Sequence, residues 1–362
     1  MEKLDKGNPA GYADCQQMTD SDSMLRLQNW RQAVAQCAPL GLLRRLAKPA
    51  PVCSCYHIVA DEAPPHIRHL FTPRGIGEFA RDLEFFARNF RPLPLATIPK
   101  LFDSLRSQRS SGFVVTFDDG LREAFEIAAP MLQQRSIQAV FFINPAFVDN
   151  RAMFYRHKAS LLIAALAAPA AQQQRSRVME YLADADIPAA TPEAGILQIS
   201  YDRQALLDDL AGLLEVDFAD YLARQRPYMT RAQISQLAAA GHLIGAHSVD
   251  HPPFDSLPAS EQLRQFDESL SYVQDHFASL QSVFAFPFHA KGLSPELLER
   301  SMSQQVTLFT TAGYGVHAAS RKVDRITMER PGSARTLLNL ALLKSLRHPK
   351  PSRCVGIIRE IS

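Results

Sequence analysis

Short apolar runs alternate with amphipathic segments along the chain from Pro51 onward. The runs are rich in β-branched and aromatic side chains, which is typical of buried strands. The predicted strands cover residues 52–59, 113–117, 139–143, 242–246, 282–286, 306–310 and 323–328. Apolar residues at spacings of three and four predict helices at 75–90, 121–135, 231–240 and 260–277. Strands alternating with helices imply a parallel sheet, and this many repeats predict a closed or nearly closed barrel.

The segment from about 151 to 226 interrupts this alternation. It is rich in Ala, Leu, Gln and Arg and has few β-branched runs, so it predicts a helical insertion. At the catalytic end of a barrel, such an insertion is either a lid or partner-binding cap, or a helical excursion without a role in function. At its start, Arg156–Lys158 would suit an anionic substrate such as a sugar diphosphate lipid, with a solvated basic turn as the alternative.

Both ends of the chain carry basic, leucine-rich segments. Residues 1–50 form an N-terminal extension that we expect to be partly helical or disordered, ahead of a barrel domain at 51–362. Residues 24–50 hold no acid, and their basic residues are Arg26, Arg31, Arg44, Arg45 and Lys48. This composition suits either a helix packed on its own domain or a helix on an anionic membrane surface. The tail at 335–347 predicts a closing helix packed on the barrel.

Composition narrows the class of protein. A chain of 362 residues with 46% hydrophobic content can bury a substantial core. The net charge of +2 gives no basic field of the sort that marks nucleic-acid binders, so we expect no nucleic-acid partner. The five cysteines are scattered and odd in number, which favours a reducing compartment. No signal peptide or long apolar run is evident, and we expect a soluble, cytoplasmic protein.

A pair of carboxylates follows one of the predicted strands. The sequence at Thr116–Gly120 reads TFDDG, directly after the apolar start of the run at 113–117. Neighbouring side chains of a strand point to opposite faces, so two adjacent aspartates serve one site only where the strand ends and the backbone turns. Gly120 marks such an end. We therefore expect Asp118 and Asp119 at the mouth of the barrel.

Two imidazoles follow another predicted strand. His247 comes directly after the run at 242–246, and His251 comes four residues later, before Pro252. A spacing of four places two side chains on one face of a helical turn. Parallel barrels gather their chemistry at the carboxyl ends of strands, so the carboxylates and the imidazoles are expected at the same end of the barrel.

One carboxylate and two neutral imidazoles make a tripod for a divalent ion, and Zn²⁺ is the ion that we favour. Such a tripod leaves positions open for water and substrate, which implies catalysis. Each motif also has a simpler explanation when taken alone. An aspartate pair is often a turn with a helix N-cap, and a histidine pair at this spacing is often a surface turn.

The motifs resemble those of the polysaccharide deacetylases, the carbohydrate esterase family 4 or NodB-homology group. The sequences TFDDG at 116–120 and HSVDHP at 247–252 are similar to the first two motifs of that family. The resemblance spans about residues 51–335 outside the insertion. Weaker matches lie at Tyr56–Val59, at Gly241–Gly245 and, where the family has its third motif, at Phe284–Phe288.

The resemblance implies a fold, a reaction and a set of roles. The fold is a distorted (β/α)7 barrel of the NodB type, here with a helical insertion. The reaction is the metal-dependent hydrolysis of an N-acetyl group from an amino sugar. By the same resemblance, Asp118 is the catalytic base, whereas Asp119, His247 and His251 hold the metal.

The third motif departs from the family pattern. In the family it carries an arginine that orients the base, whereas here Ala285 and Phe286 precede Pro287. A replacement must come from elsewhere in the chain. The candidates are Arg325 and Arg330.

The general acid is a second departure, because no late Leu-x-x-His motif is present. The candidates for this role are His57, His289 and His317. A position at the end of a strand favours His57, and a late place in the chain favours His317. Each of them has a structural role as its simpler explanation.

The leading hypothesis is a metal-dependent deacetylase of an N-acylated sugar or glycan precursor, lipid-linked or nucleotide-linked, in the synthesis of an envelope glycan. It would act in the cytoplasm or peripherally at the inner face of the membrane. One alternative keeps the fold and changes the substrate to a formamido sugar or another amide. The other is a catalytically silent glycan-binding protein, for which the missing third-motif arginine is the best support.

Overall fold

The computed structural model describes residues 30, 32–102, 112–167, 172–277, 279 and 281–347. Within these residues, ten strands form one sheet. The strands are β1 Val52–Tyr56, β2 Arg91–Pro92, β3 Gly112–Phe117, β4 Ala139–Ile143, β5 Leu243–Ala246, β6 Val283–Ala285, β7 Thr307–Thr310, β8 Gly315–His317, β9 Lys322–Asp324 and β10 Ile326–Thr327. The helices are α1 Leu40–Leu46, α2 Ile76–Asn89, α3 Ala129–Gln133, α4 Tyr155–Leu166, α5 Gln172–Asp184, α6 Pro192–Gln198, α7 Ala205–Leu214, α8 Phe218–Gln225, α9 Arg231–Ala239, α10 Ala259–Phe277, α11 Pro295–Ser303 and α12 Ala334–Arg347.

The sheet curls into a barrel because one extended segment pairs with both of its sides. The strand order is β10-β1-β3-β4-β5-β6-β7-β9-β8, with β2 beside β3. Only Arg325 separates β9, which runs parallel to β7, from β10, which runs parallel to β1. The backbone N–H of Arg325 donates to the carbonyl of Thr310 at 2.9 Å, and that of Met328 donates to the carbonyl of Cys55 at 2.9 Å. The prediction of a distorted, mostly parallel barrel is confirmed.

The apolar pattern locates the elements of the barrel to within a few residues. The short strands β2 and β8 and the helix α11 were not predicted, and two of the predicted segments differ from the structure. The expected strand at 323–328 is broken at Arg325, where the chain changes partners. The expected helix at 121–135 begins as a π-helix over Ala124–Ala128, in which the N–H of Ala129 donates to the carbonyl of Ala124. Pro130, the next residue, has no N–H and so cannot donate the usual α-helical hydrogen bond. The wider π-helical turn therefore costs no hydrogen bond at this position.

Among the described residues between β4 and α9, where a helical insertion was predicted, there are five helices, α4–α8. They surround an apolar cluster of their own, which includes Leu162, Leu182 and Leu210. The two ends of the segment are joined: Asn150 bonds the backbone of Tyr228 twice, with its side-chain nitrogen to the carbonyl at 3.0 Å and its side-chain oxygen to the N–H at 2.9 Å. The assignment of 151–226 as a lid, and the domain boundaries themselves, stay predictions.

The basic stretch at the start of the insertion is the first turn of α4, and it is not a solvated basic turn. Lys158 forms an ion pair with Asp208 at 2.6 Å. Arg156 donates to the carbonyl of Leu197 and stacks over the ring of Tyr155. His157 is fully buried.

The N-terminal segment packs on the end of the same domain. A helical stretch at 32–37 precedes α1, and the side chain of Asn339 on α12 donates to the carbonyls of Ala35 and Ala38 at 2.8 and 3.0 Å. The predicted closing helix at 335–347 is therefore present as α12. Residues 1–29 of the predicted extension lie outside the described residues. Across the part of the chain that the structure describes, every helix is too short or too polar to cross a membrane.

Candidate metal and catalytic site

The two aspartates lie where β3 ends, at a backbone turn that faces the barrel mouth. Asp119 and Gly120 both adopt left-handed conformations, with φ of 69° and 64°. This region is uncommon for residues other than glycine, so the surrounding structure must hold Asp119 in it. The backbone turns at these two residues, which lets Asp118 and Asp119 serve one site despite being neighbours.

The two histidines follow β5, but they do not lie on a helical turn as the spacing predicted. Ser248 and His251 adopt left-handed conformations, each with φ of 65°, and the loop between them is irregular. The backbone N–H of His251 donates to Oγ of Ser248 at 3.1 Å. The side chain of Asn144 donates to the carbonyls of His247 and Ser248. These bonds, and no helix, bring the imidazoles together.

Asp119, His247 and His251 converge in the way that a metal site needs. Oδ1 of Asp119 lies 3.4 Å from Nε2 of His247 and 3.2 Å from Nε2 of His251. The three candidate ligand atoms all lie within 4.8 Å of one another. Nδ1 of His247 lies 2.8 Å from the carbonyl of Ala285, which can only accept, so this nitrogen carries the ring proton and Nε2 is left for a metal.

The protonation of these groups also suits a cation. Burial opposes the charge of Asp119, but the neighbouring imidazoles of His251 and His247 outweigh it and hold the pKa of this carboxyl well below its usual value. Burial lowers the pKa of His251, which keeps its imidazole neutral. Oδ1 of Asp119 is buried and has no hydrogen-bond partner. A divalent ion would satisfy this atom and the two ring nitrogens, so the residues fit the predicted metal.

Asp118 is clamped by Arg325, one of the two arginines that the sequence offered. Nη1 of Arg325 lies 2.6 Å from Oδ1 of Asp118, and Nη2 lies 2.8 Å from Oδ2. Both side chains are fully buried. Burial would raise the pKa of Asp118, but the guanidinium outweighs it and lowers the pKa to about 2. Oδ2 of Asp118 lies 3.8 Å from Nε2 of His247, so an ionised carboxylate stands beside the metal site.

His57 lies at the end of β1, on the other side of Asp118. Ligand atoms of His57, Cys55 and Asp118 all lie within 4.8 Å of one another. Nδ1 of His57 lies 3.3 Å from Oε2 of Glu329. Burial alone would lower the pKa of His57, but the carboxylate of Glu329 outweighs it and raises the pKa to about 10. The imidazole is therefore a cation that faces the site.

Glu329 was not found by sequence reasoning. Its side chain is buried and accepts the backbone N–H groups of His57 and Ile58 as well as contacting the ring. The available signal was an acid directly after the last predicted strand, the position in a parallel barrel where chemistry gathers.

The other two candidate acids lie apart from this group. His317 is half exposed and bonds Asp324, with Nε2 2.8 Å from Oδ2. His289 is partly buried, and its Nε2 lies 3.6 Å from Oδ2 of Asp255. Neither has a described contact with the aspartates or the histidines of the site, so a catalytic role for His317 stays a prediction that no contact supports.

Two aromatic rings flank His251. Phe154 directly precedes α4, and its ring centroid lies 4.3 Å from that of His251. The ring centroid of Phe288 lies 4.8 Å from that of His251. Phe288 is 41% exposed, with its backbone held at φ of 54°. The insertion and the third-motif loop therefore each contribute one wall beside the metal site.

The arrangement has a counterpart among known proteins. A family model described as Polysaccharide deacetylase matches residues 106–303, which is more than half of the chain. The chain belongs to the polysaccharide deacetylase family. The resemblance inferred from the motifs is confirmed, and the coarse assignment as a deacetylase that acts on N-acetyl amide bonds follows from the family.

Solved structures with the same fold include two bacterial proteins. The deacetylase PplD from Streptococcus pyogenes, in complex with acetate, superposes with a TM-score of 0.53 at 12% sequence identity, covering 81% of this chain and 99% of that one. IcaB from Ammonifex degensii superposes with a TM-score of 0.51 at 17% identity, covering 81% and 97% of the two chains. At these identities the likeness shows the fold. No curated protein matches this deacetylase chain.

Proposed function

We propose that this deacetylase removes the N-acetyl group from an amino sugar of a glycan or glycan precursor, with a divalent ion held by Asp119, His247 and His251. The observation that carries the proposal is the buried, unpartnered Oδ1 of Asp119 between two imidazole Nε2 atoms, with the clamped carboxylate of Asp118 beside it. Metal binding by itself does not need that second carboxylate, so its retention favours catalysis.

The donor set suits Zn²⁺ because two imidazoles and one carboxylate leave open positions for water and substrate. When bound, such an ion supplies Lewis-acid polarisation of the amide carbonyl and a water of lowered pKa.

Asp118 acts as the general base in this proposal. Its carboxylate is ionised at neutral pH, and both of its oxygens are held by Arg325, so its orientation is set before substrate arrives. Oδ2, which lies 3.8 Å from the ring of His247, takes the proton of the attacking water.

His57 acts as the general acid. Glu329 holds Nδ1, so Nε2–H is the proton that the imidazolium can give to the leaving amine nitrogen. The overall balance is hydrolysis: water adds hydroxide to the acetyl carbon, the C–N bond breaks, and acetate and the free amine form. Glu329 then favours return of a proton to His57.

The missing third-motif arginine was the main support for a catalytically silent glycan-binding protein. Arg325 contacts both oxygens of Asp118, as an orienting arginine would, and this contact supports the enzyme over the silent protein. A deformylase of the same fold is separated from a deacetylase by its product, formate against acetate.

A location at a membrane surface is supported by the exposed face of α1. Leu42 and Leu46 are 52% and 60% exposed, one helical turn apart, and Trp30 ahead of them is 58% exposed. Arg45 and Lys48 lie exposed beside them. Apolar side chains flanked by cations suit an anionic lipid surface. A lipid-linked precursor at the inner face of the membrane would be in reach of such a protein.

The proposed function is tested by measuring metal content and acetate release together. Purified protein is loaded with Zn²⁺ and offered a panel of N-acetylated amino sugars, free, nucleotide-linked and lipid-linked. We expect acetate release from at least one class of substrate. Release of formate alone from formamido sugars would favour the deformylase, and a protein that binds metal but releases neither acid would contradict the enzyme.

A further inference from the structure

Two buried histidines beside the site, His66 and His157, each leave one ring nitrogen without a partner. Their residues are 2% and 1% exposed, as deeply buried as the four residues of the candidate site. In both, the atom without a hydrogen-bond partner is Nε2. Buried polar groups are nearly always hydrogen-bonded, so two such atoms in one place need a partner, either a bound water or a ligand.

Tyr228 sets the tautomer of His157. The phenol oxygen of Tyr228 accepts the backbone N–H of Phe154 at 3.0 Å and lies 2.7 Å from Nδ1 of His157. Among the described contacts, the hydroxyl proton has no other acceptor and therefore goes to Nδ1. Burial, reinforced by neighbouring His66, holds the pKa of His157 well below its usual value, so the ring is neutral. A neutral ring that accepts at Nδ1 carries its proton on Nε2, so the unpartnered atom is a donor.

His66 repeats the same arrangement with a second tyrosine. The phenol oxygen of Tyr221 lies 2.9 Å from Nδ1 of His66, and among the described contacts its proton has no other acceptor. Burial, together with the charge of Arg122, lowers the pKa of His66 to about 3, so this ring is neutral as well. The two imidazole rings are 5.1 Å apart between centroids. They therefore present two neighbouring Nε2–H donors.

The pair is tied to the metal site through one phenylalanine and one turn. The ring of Phe154 lies 5.0 Å from that of His157 and 4.3 Å from that of His251. Tyr228 pairs with Leu121 in a β-bridge, and the backbone N–H of Met229 donates to the carbonyl of Gly120 at 2.9 Å. His157 is therefore held beside the turn that carries Asp119, and His66 packs against the ring of His157.

We propose that the Nε2–H groups of His66 and His157 form a sugar-binding subsite, contiguous with the metal site, that binds acceptor oxygens of the glycan next to the N-acetyl group; this rests on the proposed function. Both donors are uncharged, so they suit a hydroxyl, ring or carbonyl oxygen and give no preference for phosphate. His157 and both tyrosines belong to the insertion or its exit, so this assigns recognition of the sugar to that segment.

The test compares two substrates and two kinds of substitution. One substrate is an N-acetylated glucosamine oligosaccharide, and the other is 4-nitrophenyl acetate, an activated acetyl ester that has no sugar. His157→Leu and His66→Leu remove the donor, whereas His157→Gln and His66→Gln keep an N–H donor. Exposed His276→Leu is the matched control. We expect each Leu variant to raise KM for the oligosaccharide about tenfold with a smaller change in kcat, and each Gln variant to restore most of the loss.

Hydrolysis of 4-nitrophenyl acetate is expected to stay within about twofold of wild type in all variants, because a substrate without a sugar does not use the subsite. Equal losses on both substrates would overturn the proposal in favour of a structural role. An unchanged KM for the oligosaccharide would overturn it in favour of an internal water. A wild-type protein that hydrolyses the ester but releases acetate from no N-acetylated glycan would instead overturn the proposed function itself, and the subsite with it.

Discussion

Arg325 and Asp118 are 207 positions apart in the chain and face each other as a two-pronged ion pair, with nitrogen–oxygen distances of 2.6 and 2.8 Å. The pair is sealed from solvent, and the guanidinium also donates to Oγ1 of Thr116 at 3.0 Å. Arg325 reaches this position because it is the one residue between β9 and β10, where the strand changes partners to close the barrel. The same backbone feature therefore closes the fold and orients the proposed base.

Arg325→Lys keeps the charge but cannot hold both carboxylate oxygens, because an ammonium is a point donor and a guanidinium is a planar fork. We expect kcat for acetate release to fall about 10- to 100-fold with metal content unchanged. Arg325→Met leaves Asp118 buried without a partner and is expected to destabilise the fold by about 3–5 kcal/mol. Steady-state kinetics and urea unfolding measure the two effects. An Arg325→Lys variant with wild-type kcat would show that the guanidinium of Arg325 does not orient Asp118.

The ion pair between His57 and Glu329 predicts a pH dependence. The pKa of His57 is raised to about 10, against about 6.5 in an unfolded chain. A group whose pKa is higher in the folded state stabilises that state fully below its unfolded pKa, and the contribution is lost as the pH rises through the folded pKa. We therefore expect this contribution to be complete below about pH 6.5 and to be lost toward pH 10.

Glu329→Gln removes the carboxylate that raises the pKa of His57. If His57 is the general acid, the alkaline limb of the profile of kcat/KM against pH moves to lower pH in this variant. His317→Gln, which changes an imidazole outside the site, is the matched control and leaves the profile in place. An alkaline limb that shifts in the His317 variant and not in the Glu329 variant would transfer the role of acid to His317.

The exposed face of α1 predicts binding to anionic lipid. Wild-type protein is expected to sediment with vesicles that contain phosphatidylglycerol and to stay in solution with phosphatidylcholine alone, and added salt weakens the binding. The double change Leu42→Gln and Leu46→Gln is expected to lower partitioning at least tenfold. Met302→Gln, at an exposed apolar residue elsewhere, is the control. Equal sedimentation with both kinds of vesicle, or none with either, contradicts the proposal.

Sequence analysis located best the residues whose positions are marked by their immediate neighbours in the sequence. Asp118 and Asp119 follow an apolar run and precede a glycine, and His247 follows another run, so the rule that parallel strands end at one edge was enough to bring them together. The expectation of a helical turn between His247 and His251 was wrong. The irregular loop depends on Asn144, which follows the neighbouring strand β4 and donates from its side chain to the carbonyls of His247 and Ser248. The spacing of residues within the loop cannot predict a contact from another strand.

The residues that sequence analysis left open or missed are those that long-range pairing supplies. Choosing between Arg325 and Arg330 requires knowing where the last strand changes partners. Glu329 meets His57 only because β10 pairs with β1, across 272 positions of the chain. His157 looked like part of a basic surface turn, because local composition does not show that Tyr228 lies across from it.

The most direct measurement is the zinc content of three matched proteins, wild type, Asp118→Asn and Asp119→Asn, each loaded with Zn²⁺, dialysed and assayed for acetate release. Neither substitution changes side-chain size, so the comparison isolates charge. Our account predicts bound zinc in wild type and Asp118→Asn, much less in Asp119→Asn, and acetate release by wild type alone. Full zinc content in Asp119→Asn, or wild-type turnover in Asp118→Asn, would contradict the assignment of metal ligand and base.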